Sequence, residues 1–305
     1  MKKVIVTGAG GFIGRQTLPS LLENGFEVHA ISSRQNAAID SNCYWHQINL
    51  LNFQEIKDLM SFVKPTHLLH FAWNTIPGKY WTTPDNFRWV QASLTLLEQF
   101  SRFNGQRVVM AGTCAEYDWQ YGYCTEQITP TDPDTPYGIC KDSLRKMLEA
   151  YSEQMGISSG WGRIFFPFGP FEHPKRLVPS VISSLLSGKQ AQCSHGQQIR
   201  DFLYVKDIAD AFVAFLLSDV SGAVNIASGK PVKIRQIADK IATMLNQTDK
   251  IQFGVIPTPK DEPPLIVGNV NRLIKEIGWQ PNYTLDLGLE LTIEWWQRNS
   301  QNLVS

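Results

Sequence analysis

Short apolar runs alternate with longer amphipathic stretches along the first two-thirds of the chain. The apolar runs predict β-strands at residues 4–7, 28–31, 68–71, 108–110 and 161–166. The amphipathic stretches predict helices near residues 12–24, 53–62, 85–103 and 137–155. Pro19 lies inside the first of these, so we expect that helix to be kinked or shortened. Alternation of strand and helix is typical of an α/β fold with a doubly wound parallel sheet.

The alternation weakens after residue 166, where prolines and glycines become frequent and aromatic residues cluster. A second proline-rich segment covers residues 257–264, and the tail from 271 to 305 predicts two short helices around a Gly-Trp-Gln-Pro sequence. We therefore predict two interleaved domains. Residues 1–166, with return segments near 202–230, form the domain that carries the sheet, and residues 167–201 and 231–305 form a smaller one.

Charge and cysteine content narrow the class of protein. The 305 residues include 28 Lys and Arg and 28 Asp and Glu, so no net charge attracts nucleic acid or an anionic membrane. The first apolar run follows directly after Met1-Lys2-Lys3, and no stretch approaches the roughly 18 apolar residues of a membrane span. Five cysteines without a C-x-x-C pair are typical of reduced thiols. We expect a cytoplasmic protein with no metal site and with neither nucleic acid nor membrane as partner.

A glycine-rich segment joins the first predicted strand to the first predicted helix. Gly8, Gly11 and Gly14 lie three residues apart, with Phe12 and Ile13 between the last two. Such glycines permit a tight turn, close approach of a pyrophosphate to the backbone and close packing of helix on strand. The N-terminus of the helix favours the anion. This segment, at the first strand–helix junction, predicts dinucleotide binding in a Rossmann-type fold.

The residues after the second predicted strand bear on the choice of nicotinamide cofactor. NAD-binding folds of this type place an Asp or Glu there to hold the ribose hydroxyls. Here Ser33 and Arg34 occupy that place, so a guanidinium is available for a 2′-phosphate, and Arg15 is a second candidate. We therefore expect NADP(H), with NAD(H) the less favoured alternative.

Tyr137 and Lys141 lie four residues apart on a predicted helix, so their side chains share one face. Pro136 suits the first turn of that helix. Because a nearby ammonium favours the phenolate, we expect Lys141 to lower the pKa of Tyr137 from its ordinary value of about 10. Tyr137 would then exchange a proton with a carbonyl or an alcohol. Thr113 follows the strand predicted at 108–110 and precedes Tyr137 by 24 residues.

These segments together resemble the extended short-chain dehydrogenase/reductase family, and within it the NAD-dependent epimerase/dehydratase type of nucleotide-sugar enzyme. The resemblance is carried by the glycine spacing, by the order of Thr113, Tyr137 and Lys141, and by motifs at residues 163–170, 200–207 and 277–281. Phe166 and Trp89 depart from it, since relatives often carry Asn at both places. The resemblance covers nearly the whole chain.

The resemblance implies roles for individual residues. Thr113, Tyr137 and Lys141 would be the catalytic residues. The glycine segment, the residues after the second predicted strand and the resemblance together imply a set of cofactor contacts. These are Gly8, Gly11, Phe12, Ile13, Gly14, Ser33, Arg34, Asn49, Leu50, Phe71, Ala72, Tyr137, Lys141 and Phe165. The resemblance implies substrate contacts at Trp73, Asn74, Thr113, Tyr137, Phe166 and Arg200. Arg200 would meet the diphosphate of a nucleotide-sugar substrate, and the chain would form a homodimer through the helices near 85–103 and 137–155.

The residues beside Thr113 distinguish the reactions of this group. The 4,6-dehydratases carry Thr-Asp-Glu there, whereas this chain has Cys114 and Ala115 after Thr113. Glu116 is displaced by one residue, so its side chain should point elsewhere, and we expect no dehydratase chemistry. Arg34 and the missing carboxylate favour an NADPH-dependent ketoreductase. The resemblance implies a 4-keto-6-deoxy sugar nucleotide as its substrate.

Three alternatives stay open at this point. A nucleotide-sugar epimerase with tightly bound NAD(P) would need the same catalytic residues. A non-catalytic NADP(H)-binding sensor of this fold usually lacks the Tyr or the Lys, and both are present here. A reductase of a non-nucleotide ketone would have no use for Arg200 within its motif.

Overall fold

A computed structural model describes residues 2–34 and 42–299. The strands are β1 Lys3–Thr7, β2 Glu27–Ser32, β3 Tyr44–Gln47, β4 His67–His70, β5 Arg107–Thr113, β6 Tyr123–Cys124, β7 Ser158–Ile164, β8 Phe166–Phe168, β9 Ala191–Gln192, β10 Ile199–Tyr204, β11 Gly222–Ile226, β12 Pro231–Lys233, β13 Ile251–Gln252 and β14 Leu265–Gly268. The α-helices are α1 Gly14–Glu23, α2 Phe53–Val63, α3 Asp85–Arg102, α4 Pro136–Met155, α5 Leu177–Leu186, α6 Val205–Leu217, α7 Ile234–Met244 and α8 Leu285–Asn299.

Seven parallel strands form the large sheet, in the order β11-β7-β5-β4-β1-β2-β3. The chain runs outward from β1 to β3 and then returns to place β4 on the other side of β1. Ligands of open α/β sheets bind at the carboxyl ends of the strands where the order reverses in this way. The predicted α/β fold with a doubly wound, Rossmann-type parallel sheet is confirmed.

The apolar side chains of β1 are buried on both faces of the large sheet. Val4 and Val6 are fully buried in a core with residues of α1 and α6, and Ile5 is fully buried in a second core with residues of α2, α3 and α4. Successive strand residues point to opposite faces, so an unbroken apolar run requires helices on both sides. β1 is therefore a central strand.

The chain passes from the large sheet to a second sheet at Phe165. We predicted one strand over 161–166, but β7 ends at Ile164 and β8 begins at Phe166. β8 pairs in parallel with β10, which belongs to a sheet of the order β12-β10-β14-β6. The predicted strand was wrong at its end because an apolar run does not reveal a change of sheet.

α1 contains Pro19 and is ten residues long, so it is shorter than the stretch predicted at 12–24, in agreement with the expectation that the helix is kinked or shortened. The expectation for the tail needs correction. The tail contains one short π-helical turn, Arg272–Glu276, followed by α8, which has 15 residues and is not short. Residues 300–305 of the predicted tail lie outside the described residues.

Parts of the C-terminal third pack against the large sheet. α6 contributes to the same core as α1, and β11 extends the sheet beyond β7. β10 and β12 lie instead in the second sheet. The division into domains at 1–166, 202–230, 167–201 and 231–305 stays a prediction.

No helix within residues 2–34 and 42–299 is long and apolar enough to cross a membrane. Over the same ranges, no group of three or more His, Cys, Asp or Glu side chains is arranged to hold a metal ion.

Candidate active site

A cleft of about 710 Å³ opens at the carboxyl ends of the central strands, between the large sheet and the second sheet. The glycine segment after β1, the segment after β4, the end of β5 and the start of α4 form one side. The segment from Phe165 to Val178, together with Arg200, Phe202 and Glu262, forms the other. The cleft therefore lies at the reversal point of the strand order.

The glycines at the floor of the cleft are required by the backbone around them. Gly8 has a φ of +67°, and a Cβ there would lie 3.0 Å from the backbone nitrogen of Ala72. A Cβ on Gly14 would lie 2.3 Å from the carbonyl oxygen of Gly8, and one on Gly11 would lie 3.0 Å from it. A cradle that only glycine permits, ending at the start of α1, suits the pyrophosphate of a nicotinamide dinucleotide.

A buried hydrogen-bond chain fixes the segment after β4 against this cradle. His70 Nδ1 lies 2.6 Å from the Thr7 hydroxyl, and His70 Nε2 lies 2.8 Å from the Ser93 hydroxyl. The Ala72 N–H donates to the Thr7 hydroxyl over 3.3 Å. Burial, followed by the charge of Lys141, lowers the pKa of His70 to about 3, so the ring is neutral. Phe71 and Ala72 are thereby held at the cleft wall.

Four predicted cofactor residues lie outside the walls of the cleft. Ser33 and Arg34 are exposed directly after β2, and Asn49 is exposed with its side chain accepting from Leu51 N–H. Leu50 is buried in the core beside Ile5. The segment that follows Arg34 lies outside the described residues.

Arg15 is engaged in contacts of its own. Its guanidinium donates to the carbonyls of Gly10 and Gly11 over 2.7 and 3.2 Å, and it lies 3.9 Å from the ring centroid of Phe171. These contacts tie the start of α1 to the segment after β8. The Arg15 guanidinium therefore stabilises the cradle, and these contacts occupy donors that a 2′-phosphate would need.

The capping of α4 brings the predicted catalytic residues together. The Thr135 hydroxyl accepts from Gly138 N–H over 3.1 Å, and Pro136 occupies the first turn, so the helix begins just before Tyr137. Thr113 ends β5, and its side chain is hydrogen-bonded to the Tyr137 phenol. Lys141 follows one turn later and donates to the carbonyl of Ala111 over 2.9 Å. All three predicted residues line the same cleft.

The direction of the Tyr137 pKa corrects the expectation from the sequence. Burial raises this pKa above its ordinary value, Tyr80 adds to the effect, and the hydrogen bond with Thr113 opposes it. Burial also lowers the pKa of Lys141 to about 7, although the carboxylate of Glu116 acts in the opposite direction. The Lys141 ammonium lies 3.8 Å from the ring centroid of Trp73. Desolvation, which disfavours both charged forms, therefore outweighs the attraction between Lys141 and a phenolate.

Glu116 points away from the cleft, as the displaced position predicted. Its carboxylate is fully buried and accepts from Arg163 Nε over 2.7 Å, from Trp161 Nε1 over 2.9 Å and from Thr113 N–H over 2.8 Å. A Cβ on Gly112 would lie 2.1 Å from Trp161 Nε1, so glycine permits this approach. Cys114 and Ala115 line the cleft instead. Glu116 thus supports Thr113 from behind and is not available as an acid or base.

Most of the predicted substrate residues line the cleft, but Asn74 does not. Trp73, Phe166 and Arg200 line the cleft with Thr113 and Tyr137, and Phe165 lies between the two sheets. Asn74 does not line it, and its side chain accepts from Ile76 N–H over 3.4 Å. Arg200 is 2% exposed and is ion-paired with Glu262.

Several cleft residues were missed by the sequence analysis. Rings from the segment between β4 and α3 and from the turn after β5 enclose Tyr137: the Tyr80 centroid lies 4.9 Å from that of Tyr137 and the Trp81 centroid 5.7 Å from it, both nearly perpendicular. Charged groups enter from connecting segments. The missed residues are Thr75, Tyr80, Trp81, Trp119, Glu172, His173, Arg176 and Glu262. They belong to no motif, and only the abundance of aromatic residues hinted at them.

A sequence model of the NAD dependent epimerase/dehydratase family matches residues 4–227, which is well over half of the chain. The chain belongs to this family. The resemblance to extended short-chain dehydrogenases/reductases is thereby confirmed. Family membership agrees with the glycine cradle, the Thr113–Tyr137–Lys141 group and the position of the cleft.

Members with different activities are similar to this chain. UDP-glucuronic acid decarboxylase 1 of Xenopus tropicalis is 26% identical over 313 residues, which cover 99% of this chain and 73% of that protein. The UDP-glucose 4-epimerase of Thermotoga maritima, solved with UDP-glucose, has a TM-score of 0.86 at 22% identity and covers 98% of this chain and 99% of its own. The dTDP-glucose 4,6-dehydratase of Bacillus anthracis, solved with NAD, has a TM-score of 0.86 at 22% identity, covering 99% and 98%. The fold is common to several reactions, so the side chains in the cleft must distinguish them.

Proposed function

We propose that this protein is an NADPH-dependent reductase of a keto group on a nucleotide-activated sugar, with a 4-keto-6-deoxy sugar nucleotide as substrate. The observation that carries the proposal is the set of groups at the end of β5. Thr113 and Tyr137 are present for proton transfer to a ketone, whereas the next two positions are Cys114 and Ala115. Elimination of water needs an additional acid and base, and this end of the strand offers neither.

The residues of the chain have distinct roles in this proposal. Tyr137 donates its proton to the ketone oxygen as that oxygen gains electron density, and Thr113 donates a hydrogen bond that orients it. The high pKa of Tyr137 keeps the phenol protonated before reduction. Lys141 holds the nicotinamide ribose. Bound NADPH would supply the hydride, so that one hydride and one proton convert the ketone into an alcohol.

The choice of NADP(H) rests on the exposed Arg34 after β2 and on the absence of a carboxylate at Ser33 and Arg34. An arginine pairs well with a 2′-phosphate, and an acidic residue there would repel it. The cradle of Gly8, Gly11 and Gly14 would hold the pyrophosphate, and Phe71, Ala72 and Phe165 would enclose the remainder.

A nucleotide-sugar epimerase is the second candidate. The same Thr113, Tyr137 and Lys141 serve a reaction in which the hydride returns to the sugar, and the UDP-glucose 4-epimerase of Thermotoga maritima shares the fold over 98% of this chain. In that case NAD(P) would stay bound through turnover.

We also propose that the protein is a cytoplasmic homodimer that pairs through α3 and α4. The exposed side chains of Phe87 on α3 and Ile139 on α4 support this surface, since they are 60% and 48% exposed. Leu97 and Phe100, also on α3, pack instead against their own sheet. Light scattering at micromolar concentration should give twice the mass of one chain, and a monomer would contradict the proposal.

The deciding experiment mixes the purified protein, NADPH and a 4-keto-6-deoxy sugar nucleotide. Loss of absorbance of the reduced nicotinamide, matched mole for mole by a deoxy-sugar product, supports the reductase. An isomerised sugar without net loss of NADPH would establish the epimerase. A thermal-shift panel of nucleoside diphosphates, with and without NADPH, identifies the preferred base beforehand, because a ligand that binds the native state stabilises it.

A further inference from the structure

Glu172 is a buried acidic residue in the wall of the cleft to which neither the sequence motifs nor the proposed reaction gives a role. It lies in the segment between β8 and α5, lines the cleft and is only 8% exposed. Its Oε2 atom is buried and has no hydrogen-bond partner among the described residues. Buried carboxyl oxygens nearly always have a partner, so an orphaned one beside a ligand cleft requires an explanation.

The residues beside Glu172 contact groups at both ends of the cleft. On one side, its neighbour Phe171 packs over Arg15, which follows the last glycine of the cradle. On the other, Arg176 is the charged group that acts on Glu172, and the Arg176 guanidinium lies 5.2 Å from the ring centroid of Tyr80. The Tyr80 ring in turn contacts the Tyr137 ring. Glu172 therefore lines the same cleft as Tyr137, and its neighbours contact both the end of the cradle and the ring beside the phenol.

We propose that Glu172 is a substrate-binding residue whose neutral carboxyl group hydrogen-bonds a hydroxyl of the sugar and so positions the ring against Tyr137. The proposal rests on the proposed function, since it supposes a nucleotide-activated sugar in this cleft. It assigns Glu172 to the sugar, while the proposed function assigns the nucleoside diphosphate to Arg200.

The neutral form of Glu172 follows from its environment. Burial raises its pKa to about 8, while Arg176 and the Gly169 N–H oppose this shift incompletely. Of the other titratable groups, His173 adjoins Glu172 in sequence, Tyr80 lines the same cleft, and Arg15 contacts the neighbouring Phe171. A protonated carboxyl group both donates and accepts, as a sugar hydroxyl does. Above pH 8 the group would lose its proton and with it the donor.

The experiment compares binding of a sugar nucleotide with binding of its own nucleoside diphosphate. The thermal-shift panel first selects the pair, either UDP-glucose with UDP or dTDP-glucose with dTDP. Calorimetry with the NADPH-saturated protein then gives the Kd of each ligand for wild type, Glu172→Ala and Glu172→Gln. Glu153→Gln, on the exposed face of α4, is the matched control for loss of a carboxylate.

We expect Glu172→Ala to raise the Kd of the sugar nucleotide about tenfold and to change the Kd of the diphosphate less than about twofold, as for one lost hydrogen bond in a closed site. Glu172→Gln, which keeps a donor and an acceptor, should stay within about threefold of wild type at pH 7. Between pH 7 and 9 the Kd of the sugar nucleotide should rise for wild type in excess of any rise for Glu172→Gln. A merely structural role would not produce this difference in pH dependence.

Two results would overturn the proposal. The first is that Glu172→Ala weakens binding of the sugar nucleotide and of the diphosphate equally, or weakens neither. The second is that wild type and Glu172→Gln show the same pH dependence of Kd. If Glu172→Ala fails to fold, Glu172→Gln and the pH series still decide the matter. If no nucleoside diphosphate stabilises the protein, the proposed function fails, and the role of Glu172 fails with it. Binding of both ligands without an effect of Glu172 would reject the residue's role alone.

Discussion

Arg200 and Glu262 form an ion pair in the wall of the cleft, and both side chains face the space in which a substrate would lie. Burial lowers the pKa of Arg200, and Glu262 opposes the shift, so the guanidinium remains charged at every physiological pH. An anionic ligand that reaches Arg200 must compete with this carboxylate.

We therefore expect Arg200→Met to weaken binding of a nucleoside diphosphate by about ten- to a hundredfold, because a charge-assisted contact to phosphate is lost. Arg298→Met, on the exposed surface of α8, is the control and should leave the Kd unchanged. Calorimetry with UDP and dTDP measures the effect. An unchanged Kd in Arg200→Met would place the diphosphate elsewhere.

Arg34→Ala tests the cofactor preference. Since only NADPH carries the 2′-phosphate, the substitution should raise its Kd about tenfold and leave the Kd of NADH nearly unchanged. Fluorescence titration of each reduced cofactor gives both constants. Equal losses for the two cofactors would show that Arg34 does not contact the 2′-phosphate.

Tyr137→Phe tests the proton donor. Removal of one hydroxyl should lower kcat at least about a hundredfold, the lower end of what general acid catalysis contributes, while NADPH binding stays intact. Stopped-flow absorbance of NADPH and a binding titration report the two properties separately. Retention of most of the rate would mean that another group supplies the proton.

The buried ammonium of Lys141 should leave a signature in the pH dependence of stability. Its pKa is about 7 in the folded protein, against roughly 10.4 in an unfolded chain. As the pH falls from 10 to 7, the unfolded state takes up a proton that the folded state does not, so the free energy of unfolding falls over this window and not below it. Lys141→Met removes the effect. The difference between the Tm of Lys141→Met and the Tm of wild type should therefore grow in favour of the variant as the pH falls from 10 to 7. Below pH 7 this difference should stay constant.

The buried pair of Glu116 and Arg163 should be costly to break. Glu116→Gln leaves the Arg163 guanidinium without its counter-charge, and we expect a loss of about 3–5 kcal/mol in the free energy of unfolding by urea. Glu149→Gln removes the partly exposed partner of Arg145 and should cost less than about 1 kcal/mol. Similar small losses for both variants would refute a supporting role for Glu116.

The residues that sequence analysis found are those whose role depends on the adjacent chain. Gly8 needs a positive φ at a strand end, and Tyr137 and Lys141 are brought to one face by a helix with a recognisable start. Glu172 and Tyr80 come instead from connecting segments, whose positions depend on packing far along the chain. Periodicity carries no information about that packing.

Environment also decides what a residue does after its position is known. The spacing of Tyr137 and Lys141 suggested an ion-pair effect, but the enclosure by Tyr80 and Trp81 could not be deduced from it. Desolvation by those rings raises the pKa of Tyr137, whereas the spacing alone led us to expect a lowered pKa. In the same way, the apolar run that ends in Phe165 and Phe166 gave no sign that two sheets share it.

The Thr113 hydroxyl has one proton and two lone pairs. It accepts the Ala115 N–H over 3.2 Å and is hydrogen-bonded to the Tyr137 phenol, and this mutual bond uses the proton of one of the two hydroxyl groups. A ketone oxygen that enters between them can accept from both only if their mutual bond breaks. Substrate entry is then an exchange of partners, in which two new bonds replace one and no polar group is left bare. A ligand of similar shape without an acceptor atom would break the bond between Thr113 and Tyr137 without forming a new one. The site would therefore bind such a ligand less tightly and reject it before any chemistry begins.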